Sequence, residues 1–200
     1  TLRRIHLCVA DWFLTKPNVL VQEETSAMLA QHLERGGSRS RAGQYFLTAG
    51  DLAREHQAAR RGSENYTRGL ELLGESDASR RLDALHNHGD VLLMLGKTDE
   101  ALSAFRSMLE LSFRLNRANK GGAAHNRIGR LYRERGSLEA AQRHLEAGLK
   151  LFETAGDERG IAASHDDIGR LLWIRGDYPK ALEHLSRALS MRKTAGDRRS

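Results

Sequence analysis

Three glycines forty residues apart, Gly89, Gly129 and Gly169, set the terms on which this chain can fold. Each is followed seven residues later by another glycine (Gly96, Gly136, Gly176) and five further on by an alanine (Ala101, Ala141, Ala181). A large apolar residue closes the pattern four positions beyond, at Phe105, Leu145 and Leu185. A unit repeating in register at this length cannot bury its own apolar face and covers it by stacking on copies of itself. Such an array presents an extended surface, so binding is the first class of function it implies. A weaker copy precedes the three, with Ala49-Gly50, Gly62 and Tyr66 at a spacing of thirty-nine.

Inside each unit the first helix is expected to run to the second glycine and its partner to start just after it. Thr98, Ser137 and Asp177 stand where N-caps belong, with Glu100, Glu139 and Pro179 in the following turn. Apolar residues then recur at helical spacing, as in Ala101, Phe105, Met108 and Leu109, or Ala141, Leu145, Gly148 and Leu149. These second helices should reach Leu115, Thr154 and Thr194, before the breaks Asn116, Ala155-Gly156-Asp157 and Ala195-Gly196-Asp197. A chain with 40% hydrophobic residues, 6% aromatics and two prolines suits an all-α array better than a sheet.

The order small-apolar-Gly, then Gly, Ala and Phe or Leu resembles the tetratricopeptide repeat (TPR), whose pattern includes Leu-Gly, Tyr, Ala and Phe positions. Ile128-Gly129, Tyr132, Gly136, Ala141 and Leu145 carry the nearest match. Ile168-Gly169, Leu172, Gly176, Ala181 and Leu185 repeat it, and His88-Gly89, Leu92, Gly96, Ala101 and Phe105 follow less closely. The family's tryptophan position is filled by Phe46, Leu85, His125 and His165, and the proline that ends its thirty-four-residue unit is absent. The resemblance spans residues 43–200 and implies an all-α, right-handed superhelix of stacked antiparallel helix-turn-helix repeats at 43–81, 82–121, 122–161 and 162–200. Residues 1–42 then form flanking helices.

In that flank, Leu2, Ile5, Val9, Trp12 and Phe13 make an apolar stripe that ends before Lys16-Pro17. A second helix is expected over Val19–Arg35 with Met28, Leu29 and Leu33 inward, and a third from Ser40 to Gln57 fits two pairings. The stretch Glu23–Asp51 resembles the lead-in to helical repeat arms of bacterial signalling ATPases and kinases, in which such arms follow a nucleotide-binding domain. The missing initiator methionine and the stop at Arg199-Ser200 are consistent with a piece of a longer protein.

Chemistry is sparse. Gly96-Lys97-Thr98 is similar to the end of a phosphate loop, but Gly89 lies one residue too far upstream and no strand pattern precedes it. His86-Asn87-His88 and His165-Asp166-Asp167 sit inside helices, where side chains one or two apart diverge and cannot share an ion. No cysteine cluster, nucleotide loop or nucleophile elbow is present, so neither an enzyme nor a cofactor is expected in this stretch. The formal charge of +6 raises a nucleic-acid-binding solenoid as the alternative. Against it, 26 acidic residues are interspersed with 32 basic ones, and the only basic runs are pairs such as Arg60-Arg61, Arg80-Arg81 and Arg198-Arg199. No apolar run approaches a membrane span and Arg3, Arg4, His6 and Asp11 interrupt any leader, which with a lone Cys8 points to a cytoplasmic protein.

The exposed stripe of the first helices is the expected binding face. Asn126, Arg130 and Arg133 share one side of their helix, away from Ile128, Leu131 and Tyr132. Forty residues on stand Asp166, Arg170 and Trp173; forty back stand His86, Asp90 and Leu93. Arginine captures carboxylates bidentately and exposed tryptophan anchors interfaces, so an acidic peptide or a helix, from a partner or from the parent protein, is the expected ligand. The competing reading pairs Arg130 and Arg170 with Asp90 and Asp166 and makes the stripe structural, while replacement of Arg130 is expected to be nearly silent for folding. Trp173, Met94 and Ile174 could instead be packing residues, and Leu189 would lie on an uncovered final helix open to a second copy.

Overall fold

The computed structural model describes residues 2–15, 22–75, 77–194 and 196. The Lys16-Pro17 break, the Val19 start, Ala195, Asp197 and the Arg198-Arg199 pair lie outside them. The described residues are all-α, without a strand. The helices are α1 Leu2–Leu14, α2 Glu23–Arg35, α3 Arg39–Glu55, α4 Ala59–Leu73, α5 Ala78–Met94, α6 Thr98–Arg114, α7 Ala118–Glu134, α8 Leu138–Ala155, α9 Glu158–Ile174 and α10 Tyr178–Thr194. First helices thus begin at Ala78, Ala118 and Glu158, about one turn ahead of the starts at 82, 122 and 162. The chain divides into two compact units, residues 1–104 and 105–200.

In the first unit α2 packs on α1 and α3, α3 on α4, and α4 on α5. One core layer gathers Ala10, Leu29, Leu33, Ala42, Phe46 and Leu72; the next gathers Leu47, Tyr66, Leu73, Ala84 and Val91. The third helix therefore satisfies both pairings open to it, because its Ala42-Phe46 side meets α2 while Leu47 faces α4 and α5. One inward expectation fails. Met28 is exposed beside the buried Leu29, since α2 turns Leu29 and Leu33 to the core. On α1 the stripe of Leu2, Ile5 and Trp12 faces outward, because Ala10 and Phe13 occupy the contact with α2.

In the second unit α7 pairs with α8, α8 packs on α9, and α9 pairs with α10. The glycine-alanine-leucine pattern read from the sequence is the contact inside each hairpin. A Cβ placed on Gly129 would lie 2.7 Å from Leu145 Cδ2 and 3.3 Å from the Ala141 carbonyl oxygen. On Gly169 it would lie 2.7 Å from Leu185 Cγ and 3.2 Å from the Ala181 carbonyl oxygen. In the degenerate copy Gly50 meets the Tyr66 ring the same way, at 2.9 Å. Ala141 and Leu145 then join Ile168 and Leu171 in one cluster, which stacks the two hairpins.

The turns at Gly37, Gln57, Gly96, Asn116, Gly136, Gly156 and Gly176 close alike. The amide of the left-handed residue bonds three residues back and the next amide bonds five back, as in Gly96 to Leu93 at 3.0 Å and Lys97 to Leu92 at 2.9 Å. These backbone bonds are continued by Thr98 to Gly96 and Leu138 to Gly136, and the Ala101 and Ala141 amides bond to the Lys97 and Ser137 carbonyls. Ser137 makes no side-chain cap bond and Thr98 is already helical, whereas Asp177 does accept from the Lys180 amide at 3.4 Å. Two turns place Gln57 (φ 58) and Asn116 (φ 52) where the others use glycine. Asparagine tolerates that conformation and glutamine does not. Gln57→Gly should therefore raise stability by about 0.5–1 kcal/mol in urea denaturation, with Asn116→Gly near neutral.

Candidate functional site

The first-helix face of the second unit is built from α7 and α9. Its centre is Asp167, only 3% exposed. Arg130 Nε lies 2.8 Å from both carboxylate oxygens and Nη2 lies 2.8 Å from Oδ2, which makes a multidentate, charge-assisted pair between adjacent repeats. Arg133 approaches the same carboxylate with Nη1 at 3.6 Å, and this buried nitrogen has no hydrogen-bond partner. Within this unit the carboxylate that Arg130 grips is Asp167, beside the Asp166 that the sequence suggested. A step between first helices advances about thirty-seven residues, so the acceptor is one position beyond Asp166.

The first unit shows the same link in other residue types. Asp51 on α3 accepts from Asn87 Nδ2 on α5 at 3.0 Å, from Arg80 Nη2 at 2.8 Å and from the Tyr66 hydroxyl at 2.7 Å. Burial, reinforced by the bond to Asp51, pushes the Tyr66 phenol well above its ordinary pKa, so it stays a donor. Inter-repeat polar links of this kind hold the first helices in register.

Asn126 departs from the expected stripe. It is 4% exposed, and its amide donates to Ser164 Oγ at 2.9 Å while its carbonyl accepts from the same hydroxyl at 3.2 Å. Asn126 is therefore a buried link between α7 and α9. Asp166 sits beside it and pairs with Arg170 at 3.0 Å and Arg192 at 3.8 Å. Arg170 and Trp173, both 61% exposed, continue this face one and two turns on, and Trp173 meets Tyr178 edge-on at 4.9 Å. Trp173, Ile174 and Met94 are exposed, not core. His86 and Asp90 belong to the first unit and face each other at 3.7 Å. His86, Asn87 and His88 diverge, toward Asp90, Asp51 and Ser63 respectively.

Arg130, Arg133 and Arg170 thus stand against Asp166 and Asp167. An exposed pair four residues apart on one helix is worth about 0.3–0.5 kcal/mol, so Arg170 can exchange Asp166 for an incoming carboxylate at little cost. Among the described residues no three His, Cys, Asp or Glu side chains gather to hold a metal, and no helix is long and apolar enough to cross a membrane. The sequence reading missed Asp167 and two bonded histidine pairs, His125 with His144 and His165 with His184. Their signal was present, since each member recurs forty residues on.

The tetratricopeptide repeat family pattern matches residues 122–194. These residues are tetratricopeptide repeats. Solved structures superpose on the chain as well. Aspartyl phosphate phosphatase F from Bacillus subtilis superposes with a TM-score of 0.74 at 16% identity, over 88% of this chain and 46% of its own. A Rap protein complexed with competence and sporulation factor gives 0.66 at 14%, over 86% and 50%. YrrB, a TPR protein with an unusual peptide-binding site, gives 0.65 at 21%, over 94% and 85%. The chain thus spans about half the length of the first two. No curated protein matches the sequence. At these identities the likeness shows the TPR fold of a helical repeat protein, a class that serves protein–protein interaction.

Proposed function

We propose that the TPR segment is a non-catalytic protein-interaction module that takes an acidic peptide or helix along the α7–α9 face. The observation that carries this reading is an exposed guanidinium beside an exposed aromatic anchor. Arg170 is 61% exposed, Trp173 stands open one turn beyond it, and Arg133 Nη1 nearby lacks a hydrogen bond. A carboxylate on a ligand would complete the arginine set, while the indole covers apolar surface beside it. That YrrB carries a peptide-binding site supports the class of ligand. On this reading the repeats are the sensing or scaffolding arm of a larger signalling protein, as the resemblance of residues 23–51 implies.

The test uses peptides selected from a random display library on the intact chain, with affinities measured by fluorescence anisotropy. Acidic sequences should be enriched. Arg170→Glu and Trp173→Ala should each weaken the selected peptide at least about tenfold while leaving the melting temperature unchanged, because both side chains are exposed. Unchanged affinity in both variants, or enrichment of basic or purely apolar peptides, would contradict the proposal. Binding of unrelated DNA duplexes with a steep loss of affinity in salt would replace it with nucleic-acid recognition.

A further inference from the structure

Six of the nine histidines form three pairs, each joining the two helices of one hairpin. The Nδ1 atoms are 2.9 Å apart in His125–His144 (α7 and α8), 2.9 Å in His165–His184 (α9 and α10) and 3.0 Å in His6–His32 (α1 and α2). A bond between two such nitrogens needs one N–H and one bare lone pair. The geometry therefore admits a pair of neutral rings, or one ring charged. It does not admit two imidazolium rings, which would aim two N–H groups at each other.

The surroundings oppose even the first charge. His125 and His144 are flanked by Arg106 of α6, Arg143 of α8 and Tyr132 of α7, whose ring stacks on His144 at 5.5 Å. His165 and His184 face Arg187, with Glu183 of α10 and Glu146 and Glu153 of α8 pulling the other way. Burial is the largest influence on all four rings and lowers each pKa, that of His125 to about 4. His165, moreover, is 3% exposed and its Nε2 has no hydrogen-bond partner. A buried orphan N–H is rarer than an orphan acceptor, so this nitrogen is the bare one and His165 Nδ1–H donates to His184. A proton added at Nε2 would strand a donor in the interior. The same arginines argue against a divalent metal between the rings.

We propose that the histidine pairs of α7/α8 and α9/α10 form a proton-operated latch. A pair sharing one proton bonds its hairpin, and the second proton breaks that bond and opens it. This holds whatever the repeats bind. The sign follows from linkage: unfolded, each pair takes two protons below about pH 6.5, and folded it takes at most one. Stability is full above that pH and falls as pH drops, because the unfolded chain binds more protons. Each pair then costs the folding constant at least about tenfold per pH unit, and the two together about a hundredfold.

Thermal unfolding of the intact chain between pH 7.5 and 5.0 tests this against H125L/H144A/H165L/H184A, which copies the residues Leu85 and Ala104 that the preceding repeat carries at these positions. The native chain should lose about 5–10 °C per pH unit below pH 6.5 beyond any loss in the variant. Equal pH dependence in both would overturn the latch. Should the variant not fold, imidazole nitrogen NMR on the native chain decides. No pair should carry charge on both rings until helix content falls, and titration of both rings of a pair near pH 6.5 in an intact fold would overturn the proposal. A melting point that rises with added Zn²⁺ at pH 7.5 would do so too, by making the pairs a metal site.

Discussion

Gly43→Ala should destabilise the first unit by about 2–3 kcal/mol, although alanine is the better helix former by about 1 kcal/mol. A Cβ at Gly43 would lie 2.6 Å from the Leu73 backbone nitrogen, 3.0 Å from Leu73 Cα and 3.0 Å from the Gly69 carbonyl oxygen. All three are main-chain atoms of α4, so no rotamer change can relieve the contact and the α3–α4 crossing itself must widen. That crossing sits between the two core layers and would loosen both. Gly129→Ala meets a side-chain tip, Leu145 Cδ2 at 2.7 Å, and should cost less because leucine can turn. Gly62 supplies the control with the opposite sign. A Cβ there finds its nearest neighbour, Ala53 Cβ, at 3.6 Å, an ordinary contact. Gly62→Ala should therefore stabilise by about 0.5–1 kcal/mol. Urea denaturation of the three variants must return this order; equal losses at Gly43 and Gly62 would mean that α3 and α4 do not cross as closely as described.

Asp167→Ala should cost about 3–5 kcal/mol, the usual consequence of stranding one side of a buried ion pair. It removes the carboxylate that Arg130 grips at 2.8 Å and leaves Arg133 Nη1, already without a hydrogen bond, with no counter-charge at 3.6 Å. Arg130→Ala should also destabilise, though less, because Arg133 remains beside the carboxylate. With that pair in place, replacement of Arg130 is no longer expected to be silent for folding. The double variant should lose less than the sum of the two singles, and the cycle isolates the coupling between α7 and α9. Arg170→Ala, whose pairing with Asp166 is exposed and within one helix, should stay within about 0.5 kcal/mol. Additive losses at Arg130 and Asp167 would show that the pair does not join the repeats.

The helix order and the hairpin contacts were legible because they rest on steric demands that a sequence records directly. Glycine at 129 and 169, with leucine sixteen residues on, can be read only as a close crossing. The face of the first helices was less legible. A helical wheel places Asn126 away from Ile128 and Leu131, but it does not show that α9 covers that strip of α7 and buries the amide against Ser164. The same omission hid Asp167, whose neighbour Asp166 lies on the stripe the wheel selects. Arg170 and Trp173, which the wheel places on the same stripe, are exposed. The histidine pairs were visible as two forty-residue echoes, and pairing them required knowing that positions nineteen apart meet across a hairpin.

The central claim is that the repeats are held in register by the Asp167 link while the exposed remainder of the α7–α9 face receives a ligand. Hydrogen exchange on the intact chain, with and without the tightest acidic peptide from the display selection, tests it most directly. Protection should appear in residues 126–134 and 166–174, on the first helices, and should vanish for Trp173→Ala at the same peptide concentration. Protection confined to α8 and α10, or an unchanged pattern in the variant, would contradict the account.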